Sequence, residues 1–248
     1  MSDINTAVIL AAGRGSRLKE LSLAQPKPMT RVNETAIIEN LISQLIKYKM
    51  QKIVTVIGYQ AEKLKSYIVK HFKDKAELIF VENEIFDKTN NIYSLFLAAD
   101  YMAGGFYLFE ADVFCEDRII EDLLNTPEDD IILIDKFTYD MNGTVVDLND
   151  SSRVMNMYLN RDQGAEFDFS DKYKTLNFYK ISRAFTDDFF REKLEAHISG
   201  RDVNSYYEQI IKEAVDSGYD FYGLKTGKAK WWEIDTQEDL EKAEQIFN

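Results

Sequence analysis

An open α/β fold is what this sequence predicts. It has three layers: a mixed, mostly parallel sheet, helices on both faces, and a small β-hairpin/helical insertion in the second half. Three observations predict it. Short apolar runs of strand length alternate with segments whose apolar residues recur at helical spacing. Strands separated by helices pair in parallel through right-handed crossovers. A glycine-containing turn follows the first strand, where open α/β sheets place ligands.

The elements follow in order. Thr6–Ala11 is a continuous apolar run ending at Gly13, the pattern of a fully buried strand. Ile37, Leu41 and Leu45, with Ile38, Ile42 and Ile46, make 36–49 an amphipathic helix. Lys52–Ile57 is a strand stopped by Gly58, 60–72 a helix and 78–81 a strand. Residues 91–102 form a helix with Ile92, Leu95, Phe96 and Ala99 on one face. A strand at 106–109 leads to Asp112, 117–124 is a helix, and 131–134 is a strand. The rhythm then changes. Residues 144–146 and 154–157 flank a polar turn and read as a hairpin-like excursion from the main sheet. Strands at 176–179 and 221–224 bracket helices at 183–198 and 204–217. An apolar segment at 231–235 leads into a terminal helix at 236–247, with Thr236 as N-cap and Asp239 three residues on. No Pro/Gly/Ser linker or repeat divides the chain, so it reads as one domain with an insertion.

Composition narrows the function. Apolar residues make up 45% of the 248, enough for a sizeable core. A net charge of −13 has the wrong sign for a general nucleic-acid coat or an anionic-membrane binder. The single Cys115 makes no internal disulfide, and two distant histidines, His71 and His197, exclude a His-rich metal site. No apolar run spans a bilayer, and Met1-Ser2-Asp3-Ile4-Asn5 lacks the features of a signal peptide. The expectation is a compact cytoplasmic protein.

The most informative segment is Leu10-Ala11-Ala12-Gly13-Arg14-Gly15-Ser16-Arg17-Leu18, followed by Pro26-Lys27-Pro28. Small residues let backbone N–H groups approach phosphate oxygens closely. A dinucleotide fingerprint fails because its sixth place is Leu18, and no P-loop pattern exists. Arg14, Arg17, Lys19, Lys27 and Arg31 stand against one acid, Glu20, in an otherwise acidic chain. Such a loop is a focused site for a polyphosphate, or else a solvated loop; its place after the first strand favours the former. Asp112 and Asp235 each end an apolar segment and would suit Mg²⁺ if they converge. Glu110 and Glu233, two residues before them on the same strand faces, are second candidates.

This glycine loop with its Pro-Lys-Pro run resembles the signature of the nucleotidyltransferase superfamily that activates sugar phosphates and related phosphomonoesters. Val56-Ile57-Gly58-Tyr59, Asn90-Asn91-Ile92-Tyr93-Ser94, Glu110-Ala111-Asp112, the run 174–179 and Trp232-Glu233-Ile234-Asp235 are similar to bacterial cytidylyltransferases acting on phosphocholine or 2-aminoethylphosphonate. The resemblance implies a Rossmann-like fold of the nucleotide-diphospho-sugar transferase kind. It implies a nucleotide-binding core at 1–135, an acceptor-binding excursion with late core strands at 136–235, and a C-terminal helix at 236–248. It implies Mg²⁺-dependent transfer of CMP from CTP to a small phosphorylated or phosphonate amine, with pyrophosphate released. Leu10 to Arg17, Gly58, Asn91, Ser94 and Asp112 would bind the nucleotide. Lys27, Arg17 and Lys174 would be catalytic, and Asp112 and Asp235 would hold the metal. The acceptor would meet Lys27, Lys174, Tyr179, Tyr207, Glu208 and Trp232. Trp231, Tyr206 and Phe178 could complete an aromatic cage for a cationic head group, with Glu208 or Asp202 pairing an amine. A homodimer is possible. A sugar-1-phosphate nucleotidylyltransferase using UTP, dTTP or CTP, a related glycosyltransferase, and an inactive nucleotide-sensing module are the alternatives.

Overall fold

A computed structural model describes residues 4–18 and 20–248. The N-terminal residues read above for a signal peptide lie partly outside this range, as does Lys19 of the basic loop.

The first strand, β1 (Thr6–Ala11), is buried along its whole length. A short helix α1 (Glu20–Ala24) and the two-residue strands β2 (Arg31–Val32) and β3 (Thr35–Ala36) precede α2 (Ile37–Lys47). The order continues with β4 (Lys52–Ile57), α3 (Ala61–Phe72), β5 (Glu77–Glu82), α4 (Asn91–Leu97), β6 (Phe106–Glu110), β7 (Val113–Cys115), α5 (Asp117–Asn125) and β8 (Ile131–Lys136). The second half holds β9 (Val145–Leu148), β10 (Val154–Tyr158), β11 (Tyr173–Ile181), α6 (Arg183–Phe185), α7 (Arg191–Ser199), α8 (Glu208–Asp216), β12 (Tyr222–Lys225), β13 (Trp231–Glu233) and α9 (Gln237–Ile246). A π-helical segment, Thr186–Phe190, joins α6 to α7.

Among the described residues the main sheet has nine strands. β5, β4, β1 and β6 are parallel neighbours in that order. β11 runs against β6 and β8, and β12 returns parallel to β8. The fold is therefore the mixed, mostly parallel open sheet expected. One apolar layer packs α2, α3 and α5 on one face of the sheet. A second packs α4, α7 and α8 on the other. A smaller cluster seats α9 against Leu18, Ile37, Phe114 and Trp232.

Two expectations change. The β9–β10 hairpin is not an excursion: β9 pairs with the first residues of β11 and so extends the main sheet. The helix expected at 204–217 begins only at Glu208. Asn90 donates from its backbone to Val203 O and from its side chain to Asn204 O, and Asn91 Oδ1 accepts from Tyr207 N. These bonds hold 203–207 against the start of α4 and take it out of helical geometry.

Candidate active site

The site opens beyond the carboxyl ends of β1 and β6, where open α/β sheets place ligands. The loop after β1 turns at Gly15, whose φ is +65°. A Cβ there would lie 2.7 Å from Lys27 Cβ, so only glycine lets the loop close onto Lys27. Lys27 itself stands between Pro26 and Pro28 at the start of a 3₁₀ turn, which fixes its backbone. The acids arrive from two distant places by one pairing. β13 runs antiparallel to β7, with Glu233 opposite Val113, and Ile234 N donates to Asp112 O at 2.9 Å. That short ladder brings Asp235 beside Asp112 across 123 positions of sequence.

The expected convergence is present. Lys27 Nζ lies 2.9 Å from Asp112 Oδ2 and 2.7 Å from Asp235 Oδ1. Arg17 Nη2 lies 2.9 Å from the same Asp235 oxygen. Ligand oxygens of Asp112, Glu233 and Asp235 lie within 4.8 Å of one another. Asp112 Oδ1 is buried with no hydrogen-bond partner. An orphaned carboxylate oxygen in an all-oxygen donor set fits a hard divalent cation such as Mg²⁺. Burial works against charge on Lys27, yet Asp112 and Asp235 outweigh it and hold its ammonium above the ordinary lysine value. Burial would likewise lift Asp235, but Lys27 and Arg17 bring its carboxyl below the usual range.

Two cavities meet here. One, of about 300 Å³, is lined by Leu10 to Gly13, Gly15, Ser16, Lys27 and Ser94 among others. The second, of about 660 Å³, is lined by Lys174, Asn177, Glu208 and Glu233 among others. Arg17, Asn91, Glu110, Asp112, Tyr206 and Asp235 line both. Asn91 ties the wall together, donating to Glu110 Oε1 at 3.2 Å while accepting from Tyr207 N at 3.0 Å. Ser94 is held by Asn83 Nδ2 at 3.1 Å.

The second cavity has an acidic floor. Burial raises the carboxyls of Glu110, Glu208 and Glu233, and neighbouring acids push Glu110 further. Glu208 is 7% exposed, and its Oε2 has no hydrogen-bond partner. Lys174, 2% exposed, lies 3.1 Å from Glu233 Oε2 and donates to Thr175 O at 2.6 Å. Just past Lys174, β11 bulges between Thr175 and Tyr179, with Asn177 at φ +59° in the cavity wall.

Several sequence-predicted residues fall elsewhere. Tyr179, Tyr207 and Phe178 are fully buried core side chains, and Trp231 is packed with its Nε1 donating to Asp135. Trp232 lies under α9, with Lys242 Nζ 3.7 Å from its ring centroid, and borders neither main cavity. The aromatic cage is therefore replaced by carboxylates, because β11 is buried on both faces, with Phe178 in one apolar layer and Tyr179 in the other; of the aromatics expected in the cage, Tyr206 reaches the cleft. Gly58 backs Ala12 without lining the cavity: a Cβ there would lie 2.7 Å from Ala12 O. Arg14 turns out over Tyr59, 5.6 Å from its ring centroid, and Arg31 turns to Glu34 O and the Tyr67 hydroxyl. Asp202 is occupied by His197 and Ser205. Cys115 is buried, its thiol pushed up to about 12 by burial. Sequence reasoning missed Asn83, Phe86 and Thr89 in the first cavity and Asn142, Asn160, Arg161 and Gln209 in the second. Asn83 follows β5 directly, so its position at a parallel strand's carboxyl end was the available signal.

A family model described as nucleotidyl transferase matches residues 6–126. CMP-5'-(3-aminopropyl)phosphonate synthase of Streptomyces rubellomurinus is 29% identical over 247 residues, 98% of this chain and 38% of that protein. The 2-aminoethylphosphonate cytidylyltransferase of Lancefieldella rimae is 31% identical over 150 residues, 60% of this chain and 58% of that protein. The chain thus spans well under two thirds of the length of these two relatives. The solved structure of the CTP:phosphocholine cytidylyltransferase from Streptococcus pneumoniae superposes with a TM-score of 0.81 at 23% identity, covering 99% of this chain and all of that one.

Proposed function

We propose that this chain, whose residues 6–126 match the nucleotidyl transferase family, transfers CMP from CTP to a small phosphonate or phosphate bearing a primary amine, releasing pyrophosphate. The observation that carries the transfer reading is the meeting of Lys27 and Arg17, from the opening loop, with Asp112 and Asp235. The acceptor class follows from Glu208, whose buried oxygen lacks a partner in the wall of the second cavity. An ammonium group satisfies a buried carboxylate by both charge and hydrogen bond. A quaternary ammonium has no N–H to give it and is held best by aromatic faces, which this cavity lacks except for Tyr206. The two relatives from Streptomyces rubellomurinus and Lancefieldella rimae are named for a 3-aminopropyl and a 2-aminoethyl phosphonate, each bearing an amine.

In this reading the backbone of the loop after β1 and Arg17 hold the triphosphate, and the first cavity takes the base and ribose between Asn83, Phe86 and Ser94. Asp112 and Asp235, with Glu233 beside them, would hold Mg²⁺, which supplies charge neutralisation for the phosphates and the leaving pyrophosphate. Lys27 would reach the α-phosphate and the attacking oxygen. Lys174 steers the acceptor's anionic end toward the shared wall, while Glu208 holds its ammonium. The attacking oxygen is already largely ionised near neutral pH, since the second pKa of a phosphomonoester is about 6. No general base is needed, and positioning with electrostatics carries the rate. CTP places the reaction in the cytoplasm.

Pyrophosphate release over a panel of CTP, UTP, dTTP and ATP against aminoalkylphosphonates, phosphocholine and sugar 1-phosphates tests this reading. CTP with a primary-amine acceptor should give the highest kcat/KM. UTP or dTTP with a sugar 1-phosphate performing best would overturn cytidylyl transfer. Phosphocholine performing best would overturn the amine assignment alone.

A further inference from the structure

The three acids suited to a divalent cation are already neutralised by the chain's own cations. Lys27 bridges Asp112 and Asp235 at 2.9 and 2.7 Å, Arg17 shares the Asp235 oxygen, and Lys174 lies 3.1 Å from Glu233. Lys27 is the inner one, with its side chain 12% exposed against 65% for Arg17. We propose that Lys27 is an internal counter-ion that keeps the acidic trio closed to a free divalent cation, so that the metal enters only together with the triphosphate that draws Lys27 away. This rests on the transfer reading above.

The physics is one of competition for the same oxygens. An ammonium and a divalent ion held about 4 Å apart in a partly buried site repel by several times thermal energy. A metal arriving alone must push Lys27 off two carboxylates with nowhere better to put its charge. A triphosphate changes the balance by offering Lys27 anionic oxygens. The lysine stem is flexible while its backbone is pinned between two prolines, so the side chain makes the move. The Gly15 backbone sits directly on that stem, and anion binding in the glycine loop is thereby felt at Lys27.

The test is Mn²⁺ binding to the nucleotide-free chain, followed by electron paramagnetic resonance. A purely scaffolding Lys27 and a counter-ion Lys27 predict opposite signs. Lys27→Met and Lys27→Gln should each bind Mn²⁺ about tenfold tighter or more than the unaltered protein, Lys27→Arg should not, and Asp112→Asn added to Lys27→Gln should remove the gain. On the unaltered protein, a proton–nitrogen correlation spectrum of lysine ammonium groups should show the Lys27 signal unmoved by millimolar Mg²⁺ and shifted by Mg²⁺ with CTP. Variants that are folded by circular dichroism yet bind no tighter, or a Lys27 signal shifted by Mg²⁺ alone, would overturn the proposal. Absence of Mn²⁺ binding with or without CTP would overturn both the proposal and the metal-dependent transfer it rests on. Tighter binding in the variants, alongside failed acceptor assays, would leave the proposal standing and sink only the acceptor.

Discussion

Glu208 shows what a single residue of this cleft costs the fold. It is buried, its Oε2 is unpartnered, and burial lifts its carboxyl above the ordinary 4.5. A carboxyl whose native pKa is raised binds its proton more tightly folded than unfolded. Its contribution to stability is therefore neutral at low pH and becomes unfavourable as pH rises from 4.5 through the raised native value. Glu208→Gln should leave thermal stability unchanged near pH 4 and raise it at pH 7 by about 1 kcal/mol or more, because the amide removes the buried charge. The same variant should raise KM for an amine acceptor and leave KM for CTP in place. Thermal melts across pH, run beside steady-state kinetics, check both. A variant destabilised at pH 7 would mean that Glu208 is held by the fold rather than by a ligand. Little of this was visible in the sequence. Glu208 was a candidate partner for an amine, but so was Asp202, and only coordinates show that His197 and Ser205 already occupy the latter.

At the level of elements, the central strands were the most legible part. Thr6–Ala11 and Lys52–Ile57 fall where their buried apolar runs place them, because a strand covered on both faces writes its length directly into sequence. The pieces that build the site were harder to read. β7 has three residues and gains its identity only by pairing with β13. The β11 bulge needs Asn177 at positive φ, a conformation that asparagine tolerates without announcing it. The terminal helix, by contrast, was readable from its cap, and the cap also serves the site. Thr236 Oγ1 accepts from Asp239 N at 3.2 Å, while Asp239 Oδ2 accepts from the backbone N–H groups of Thr236 and Asp235 at 2.8 and 3.1 Å. Thr236→Val should cost about 1 kcal/mol, lowering Tm by roughly 2–4 °C for a chain of this size. Because the same box fixes the Asp235 backbone, the variant should also raise the Mg²⁺ concentration needed for half-maximal turnover. A Tm loss with an unchanged metal requirement would confine the cap to stability.

Across the whole molecule, the two cavities belong to different halves of the sheet and share one wall. The smaller is built by the loops after β1, β5 and β6, the larger by β11, β13 and the segment before α8. On the proposed function, the charge on that shared wall would set the order of events. The second cavity is lined by Glu110, Asp112, Glu208, Glu233 and Asp235, against Lys174, Arg17 and Arg161. Lys174 and Arg17 are each already paired with one of those acids. On the proposed reading, a dianionic phosphonate entering the free protein finds Lys27, Arg17 and Lys174 already paired with acids, although its ammonium suits Glu208. On that reading, a seated nucleotide would draw Lys27 toward phosphate, and the divalent ion that Asp112 and Asp235 would hold would take over their neutralisation. The acceptor's anionic end then has a favourable place to sit. Acceptor affinity should therefore depend on prior nucleotide binding, a coupling that is reciprocal by linkage. Isothermal titration of 2-aminoethylphosphonate into the protein alone should show weak binding. Titration in the presence of Mg²⁺ and a non-transferring CTP analogue should be about tenfold tighter, a coupling of about 1.4 kcal/mol. Equal affinity in the two titrations would mean that the acceptor cavity is complete without the nucleotide, and that the acids of the shared wall do not govern the order of binding.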